Sequence, residues 1–234
     1  MTDRSKEEQK ANAEKIKAET KKIEAEARKA EADAITAEAK AEKETIELKK
    51  LKKAEDKIKA SDSENRVYRF NGAVDKTTVV KCRQKLTQWS RLDPDSSMEI
   101  VFASPGGSIT AGFELFDFIQ QLRSRGHKIT TGSLGMAASM AGILLQAGDN
   151  RWIGHQSWIL IHRASFGAIG KSFEIEDEVE LIKRIEERII NIFTTRSNLS
   201  SIKIKRNWDR KDWWINADEA LEMGLVDEIK GIML

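Results

Sequence analysis

The stretch Met98-Glu-Ile-Val-Phe-Ala103, running directly into Ser104-Pro-Gly-Gly-Ser108, decides the fold class. A short, largely apolar run rich in Ile, Val and Phe predicts a buried strand. Pro105 and the paired glycines end it, and an amphipathic stretch, Ile109–Arg123, predicts a helix that closes near Gly126. The same grammar continues outward. Upstream, Arg66–Asn71 alternates like a short strand and Lys76–Trp89 reads as a helix, with a loop at Pro94. Downstream come a strand at Ile129–Gly132, a turn of small residues at Ser133–Ala138 and an apolar helix at Ser139–Gln146. A turn at Gly148–Asn150 and a strand at Trp158–His162 follow. Lys171–Arg196 predicts a long helix, acidic early and basic late, with an apolar stripe at Ile182, Ile185, Ile189 and Ile192. Ala217–Met223 predicts a short helix closed by Gly224, before a last strand at Leu225–Ile229. Strands alternating with helices imply an α/β fold with parallel strands and right-handed crossovers.

Residues 1–62 are of another kind. They hold no aromatic residue, no Gly and no Pro, and 17 Lys/Arg stand against 16 Asp/Glu. Ala, Lys and Glu dominate, so the segment predicts helix without enough apolar surface for a core. A thin heptad seam runs through Ala13/Ile16, Thr20/Ile23, Ala27/Ala30, Ala34/Ala37, Ala41/Glu44 and Leu48/Leu51. Two readings stay open, a solvated arm and a weak coiled coil. The expected organisation is a charged helical extension over 1–62 and one globular domain over 63–234.

Composition removes several function classes. The net charge of +2 is evenly spread, which gives no footprint for nucleic acid. Cys82 is the single cysteine, so no internal disulfide forms. The most apolar stretch, Met136–Ala147, is too short to span a membrane. A soluble cytoplasmic protein is expected.

Chemistry is expected at two turns. The amides of Gly106-Gly107 lie at a strand's carboxyl end, where converging N–H groups stabilise an oxyanion; a plain tight turn is the alternative. Ser139 opens an apolar helix among small residues, in Gly135-Met-Ala-Ala-Ser-Met140, where a nucleophile gains from the helix dipole. An N-capping serine is the alternative there. Three histidines compete as base. His127, in a polar turn, is expected to be exposed, and His155 lies in another polar loop. His162 ends an apolar strand, where an imidazole can sit at the edge of a cleft.

Together these segments resemble the Clp protease proteolytic subunit, a family of caseinolytic serine peptidases. Ala103–Gly112 is similar to its glycine loop, Gly135–Met140 to its nucleophile motif and Ile161-His162 to its histidine motif. Asp212-Trp-Trp-Ile-Asn-Ala217, with Glu219-Ala220 and Gly224-Leu-Val-Asp227, resembles the segment bearing the third triad member. The resemblance runs from about Arg66 to Ile229. It implies the spiral of ββα units shared with the crotonases, with Lys171–Arg196 as the handle helix.

The resemblance also implies a serine endopeptidase. Its nucleophile would be Ser139, its base His162 and its orienting acid Asp212, with the Gly107 and Met140 amides as oxyanion hole and no cofactor. Asp209 and Asp218 are nearby alternatives to Asp212 that spacing does not separate. Implied partners are polypeptide substrates, further copies in heptameric rings stacked in pairs, and an AAA+ unfoldase. Two departures stand out: Arg163-Ala164 replaces the family's usual Gln-Pro after the histidine, and the extension is long. The extension makes a phage prohead maturation protease, with capsid or scaffold partners, a companion reading. A non-enzymatic scaffold protein and a crotonase-like acyl-CoA enzyme are the competing classes. Retention of Ser139, His162 and Asp212 together speaks against both.

Overall fold

The computed structural model describes residues 3–209 and 211–232, and the chain divides after Ala60 into two units. The first is a single helix, α1 (Asp3–Lys59), of 57 residues. At 1.5 Å per residue it is about 85 Å long. Every residue from Asn12 to Ala60 is exposed, including Ile16, Ile23, Leu48, Leu51 and Ile58. Ile35 and Ile46, outside the heptad seam, are exposed as well.

The second unit is built on β1 (Val67–Asn71), β2 (Met98–Ser104), β3 (Ile129–Ala138), β4 (Asn150–Gly154) and β7 (Glu228–Lys230), hydrogen-bonded in that order. All these pairings are parallel. Off this path, β5 (Trp158–Ile161) pairs parallel with β3, and β6 (Trp213–Ile215) pairs antiparallel with β5. Helices α2 (Lys76–Leu92), α3 (Ile109–Ser124) and α4 (Met140–Leu145) connect the strands. The long α5 (Ser172–Arg196), α6 (Ser201–Trp208) and α7 (Ala217–Glu222) follow. The expected α/β spiral with its long handle helix is therefore present. Phe70, Ile100, Phe102, Leu115, Ile119, Ile129, Leu144 and Phe193 are buried in one continuous core.

Helices α2 and α3 begin where the sequence provides a cap. Asp75 accepts from the Thr78 amide while the Thr78 side chain returns to the Asp75 amide, a reciprocal capping box. Ser108 caps α3 by accepting from the Ala111 amide.

Three local expectations are corrected. The turn expected at Ser133–Ala138 is strand: β3 runs on to Ala138 and changes partners midway. Thr130–Ser133 pair with β4, and Met136–Ala138 with β5. Against β2 the register moves from Phe102↔Ser133 to Ser104↔Ala137, so two extra residues bulge from β3. Small residues at the bulge hid the strand. Strands β4 and β6 and helix α6 were not anticipated, because each is short and takes its form from non-local pairing or packing. His127 is buried, only 3% exposed, with its ring against the Ser90 hydroxyl and the Ser96 carbonyl.

Candidate active site

The site is assembled at the carboxyl ends of β2, β3 and β5. After β2 the chain turns through Gly106 (φ 90°) and Gly107 (φ 147°), conformations that side-chain-bearing residues rarely adopt. Ser104 Oγ accepts the Gly106 N–H at 3.2 Å. Val74 brackets the next residue: its N–H donates to Gly106 O at 2.8 Å, and its carbonyl accepts the Ser108 N–H at 2.7 Å. In a parallel bridge of this kind the bracketed residue turns its own N–H to the opposite side. The Gly107 amide therefore points away from Val74.

Ser139 sits at the junction of β3 and α4. Its N–H donates to Leu160 O at 2.9 Å, which ties the turn to β5. Its backbone has φ 54° and ψ −123°, and its side chain makes no capping bond to α4. An ordinary N-cap serine has extended dihedrals and such a bond, so the capping alternative fails. A strained strand-to-helix turn instead projects the hydroxyl outward. Met140, at the first position of α4, carries one of the amides that a helix leaves without an internal acceptor. Its side chain packs over Gly112 of α3, where an added Cβ would come within 2.2 Å of Met140 Cγ.

His162 follows β5 and is half-buried. Together with Gly107, Ser139 and Met140 it lines one cleft, whose apolar wall includes Ile109, Ile143, Ile189 and Phe193. Asp212 is exposed and immediately precedes β6. The β5–β6 ladder pairs Ile161 with Trp213, so one antiparallel step further sets His162 opposite Asp212. The two line a second cleft with Trp208 and Lys211. Among the described residues the imidazole hydrogen bonds belong to His127, and no such bond joins Ser139, His162 and Asp212. Asp209 is the C-cap of α6 and Asp218 is exposed on α7. His155 lies in the turn between β4 and β5.

Sequence reasoning missed Glu186. It is an acid 8% exposed within the apolar stripe of α5, and its place between Ile182 and Ile189 at helical spacing is the signal that could have found it. Arg163 donates to it twice, Nε to Oε1 at 2.9 Å and Nη2 to Oε2 at 3.0 Å. The hydrogen bond with Glu186, then its charge, hold the guanidinium above its ordinary pKa.

No helix among the described residues is long and apolar enough to cross a membrane. The sequence model described as Clp protease matches residues 49–232. The chain is 32% identical over 167 residues to an ATP-dependent Clp protease proteolytic subunit of Bacteroides fragilis. That match covers 70% of this chain and 79% of the relative. The subunit of that name from strain YCH46 of the same species is also 32% identical, with 74% of its length covered. The extent of these matches, on a fold with strand-end glycines and a strained serine at one cleft, establishes that the chain belongs to the Clp protease family, a family of serine peptidases.

Proposed function

We propose that the chain is a serine endopeptidase with Ser139 as nucleophile, His162 as general base and Asp212 as the acid that orients the base. The observation that carries this reading is the backbone of Ser139, held at φ 54° where a strand turns into a helix. The Gly107 and Met140 amides and His162 line the same cleft. His162 takes the Ser139 proton as Oγ attacks the peptide carbonyl carbon. The carbonyl oxygen, now negative, is stabilised by the two amides, each contributing about 10²–10³ in rate. The imidazolium then returns its proton to the departing amine, leaving an acyl-Ser139 ester. Water, deprotonated by His162, hydrolyses the ester. Asp212 holds the productive tautomer and stabilises the imidazolium. The apolar wall formed by Ile109, Ile143, Ile189 and Phe193 suits an apolar substrate side chain.

The peptidase works as a self-compartmentalised oligomer, with heptameric rings stacked in pairs and an AAA+ unfoldase supplying polypeptide. Exposed Phe166, Ile169, Phe173, Ile175 and Leu181, before and along α5, support association with further copies. The 57-residue α1, exposed from Asn12 onward, favours a second reading, a phage prohead maturation peptidase whose extension engages capsid or scaffold proteins.

A fluorophosphonate probe tests the chemistry. The assembled protein should be labelled at Ser139, located by mass spectrometry, and Ser139→Ala should abolish both labelling and peptide hydrolysis. An unlabelled assembled sample, or labelling that survives Ser139→Ala, overturns the reading.

A further inference from the structure

His162 and Asp212 flank the facing ends of β5 and β6, one step beyond the Ile161–Trp213 pair, without a hydrogen bond between them. The productive contact therefore depends on what steers the two segments together. Arg163 is the residue directly after the base, and it borders each of the three clefts around this point. Its guanidinium reaches in two directions. Nε and Nη2 form a fork on the Glu186 carboxylate of α5. Nη1 lies 3.7 Å from Asp209 Oδ1, three residues before Asp212.

The two contacts differ in character. The Glu186 side chain is only 11% exposed. A carboxylate so enclosed requires a partner, and a two-point fork fixes direction as well as distance. This contact anchors the backbone of His162 to α5. The Asp209 contact is longer, and its side chain is 59% exposed. Such a pair adds little to stability, yet it connects the anchored arginine to Asp209 at the end of α6, close in sequence to Asp212. Neither glutamine nor proline, the pair usual in the family at 163–164, carries a cation to make this link.

We infer that Arg163 is a positioning residue for the proposed triad: clamped by Glu186, it holds His162 in place and draws Asp209, three residues before Asp212, toward the base. The inference rests on the Ser139–His162–Asp212 reading. Loss of the link leaves Ser139, His162 and the oxyanion amides intact but loosens Asp212. The imidazolium formed in the transition state then loses stabilisation, so kcat falls while substrate binding is kept.

The test compares Arg163→Met, Arg163→Lys and Asp209→Asn in the full chain with a fluorogenic peptide. Arg163→Met should lower kcat by about tenfold or more, with KM within about twofold. Asp209→Asn should lower kcat the same way with a smaller loss. Arg163→Lys, which keeps the charge without the fork, should recover part of kcat. A merely structural ion pair would change the melting temperature and leave kcat in place. Asp209→Asn, at an exposed position, decides the matter if Arg163→Met does not fold. Fluorophosphonate labelling of the unsubstituted protein runs alongside. No label at Ser139 overturns the triad itself, whereas normal labelling with unchanged kcat in the variants that fold overturns the role of Arg163 alone.

Discussion

Gly106 lies so close against Ser139 that a Cβ added to the glycine would sit 2.6 Å from the Ser139 Cβ. The same added atom would lie 2.6 Å from the Ala138 carbonyl oxygen and 3.0 Å from the Met140 nitrogen. The glycine loop and the Ser139 turn are thus in contact backbone to backbone. Gly106→Ala must displace one of them, and φ 90° at this residue adds strain. The expected outcome is a loss of peptide hydrolysis of a hundredfold or more. The accompanying stability cost is about 1–3 kcal/mol, measured by urea unfolding beside the kinetic assay.

Ser139 itself stores backbone strain, because φ 54° with ψ −123° is unfavourable for any residue with a Cβ. Ser139→Gly should relieve it, while Ser139→Ala should not. Both are expected to be inactive. Ser139→Gly should also be more stable than Ser139→Ala by about 1 kcal/mol after the entropy of the extra glycine is counted. Thermal melting of the two variants side by side checks the ordering.

The extension is expected to be dispensable for folding of the peptidase unit. All residues from Asn12 to Ala60 are exposed, and the second unit begins at Ser61. A chain starting at Ser61 keeps the hydrogen bond from the Asn65 N–H to the Ser61 carbonyl and the Arg69–Asp62 ion pair. Its melting temperature and hydrolysis of short peptides should match those of the full chain. Aggregation of the shortened chain would make α1 part of the folding unit.

Arg151 and Asp227 form a charge pair beside the C-terminal strand. The Arg151 side chain is 7% exposed, and it meets Asp227 through Nη2 at 2.6 Å and Nε at 3.1 Å. Burial pushes the Asp227 carboxyl up, but hydrogen bonds and charge from Arg151 outweigh it, and the net pKa lies below the usual carboxylate value. A depressed folded pKa stabilises the protein fully above the unfolded value of about 4. That stabilisation fades as pH falls through the folded value. Asp227→Asn should cost about 2 kcal/mol at neutral pH, below the full buried-pair penalty because the aspartate is half exposed. It should also flatten the loss of stability below about pH 4. Urea midpoints recorded against pH give both quantities.

Cys82, on α2, is fully buried, and burial raises its thiol pKa well above the ordinary value. Native protein should resist iodoacetamide, with alkylation appearing only in denaturant, because the thiolate is the reactive form. Mass spectrometry of the single cysteine reads this directly.

The sequence exposed those parts of the site that local chemistry dictates. Gly106 and Gly107 are forced by tight backbone approach, and they stand out in the chain beside Pro105, as do the small residues before Ser139. The Ile161-His162 junction was equally visible as an apolar run meeting a polar tip. What stayed hidden depends on partners distant in sequence. The β3 bulge becomes strand through Trp158–Leu160, and the buried setting of His127 comes from Ser90 and Ser96. Asp209, Asp212 and Asp218 differ little as sequence. Only the β5–β6 register sets one of them, Asp212, across from His162.

The bridge between Val74 and Gly107 has a mechanical consequence. Gly107 takes its aim from main-chain bonds to Val74, and the next residue, Asp75, is the cap of α2. The proposed oxyanion donor thus shares a hinge with the first turn of a helix whose other end is some 25 Å distant at 1.5 Å per residue. A tilt of that helix would be felt as a rotation of one peptide plane in the cleft, before any side chain there had moved. The aim of that proposed donor is geared to the frame of the protein through main-chain bonds.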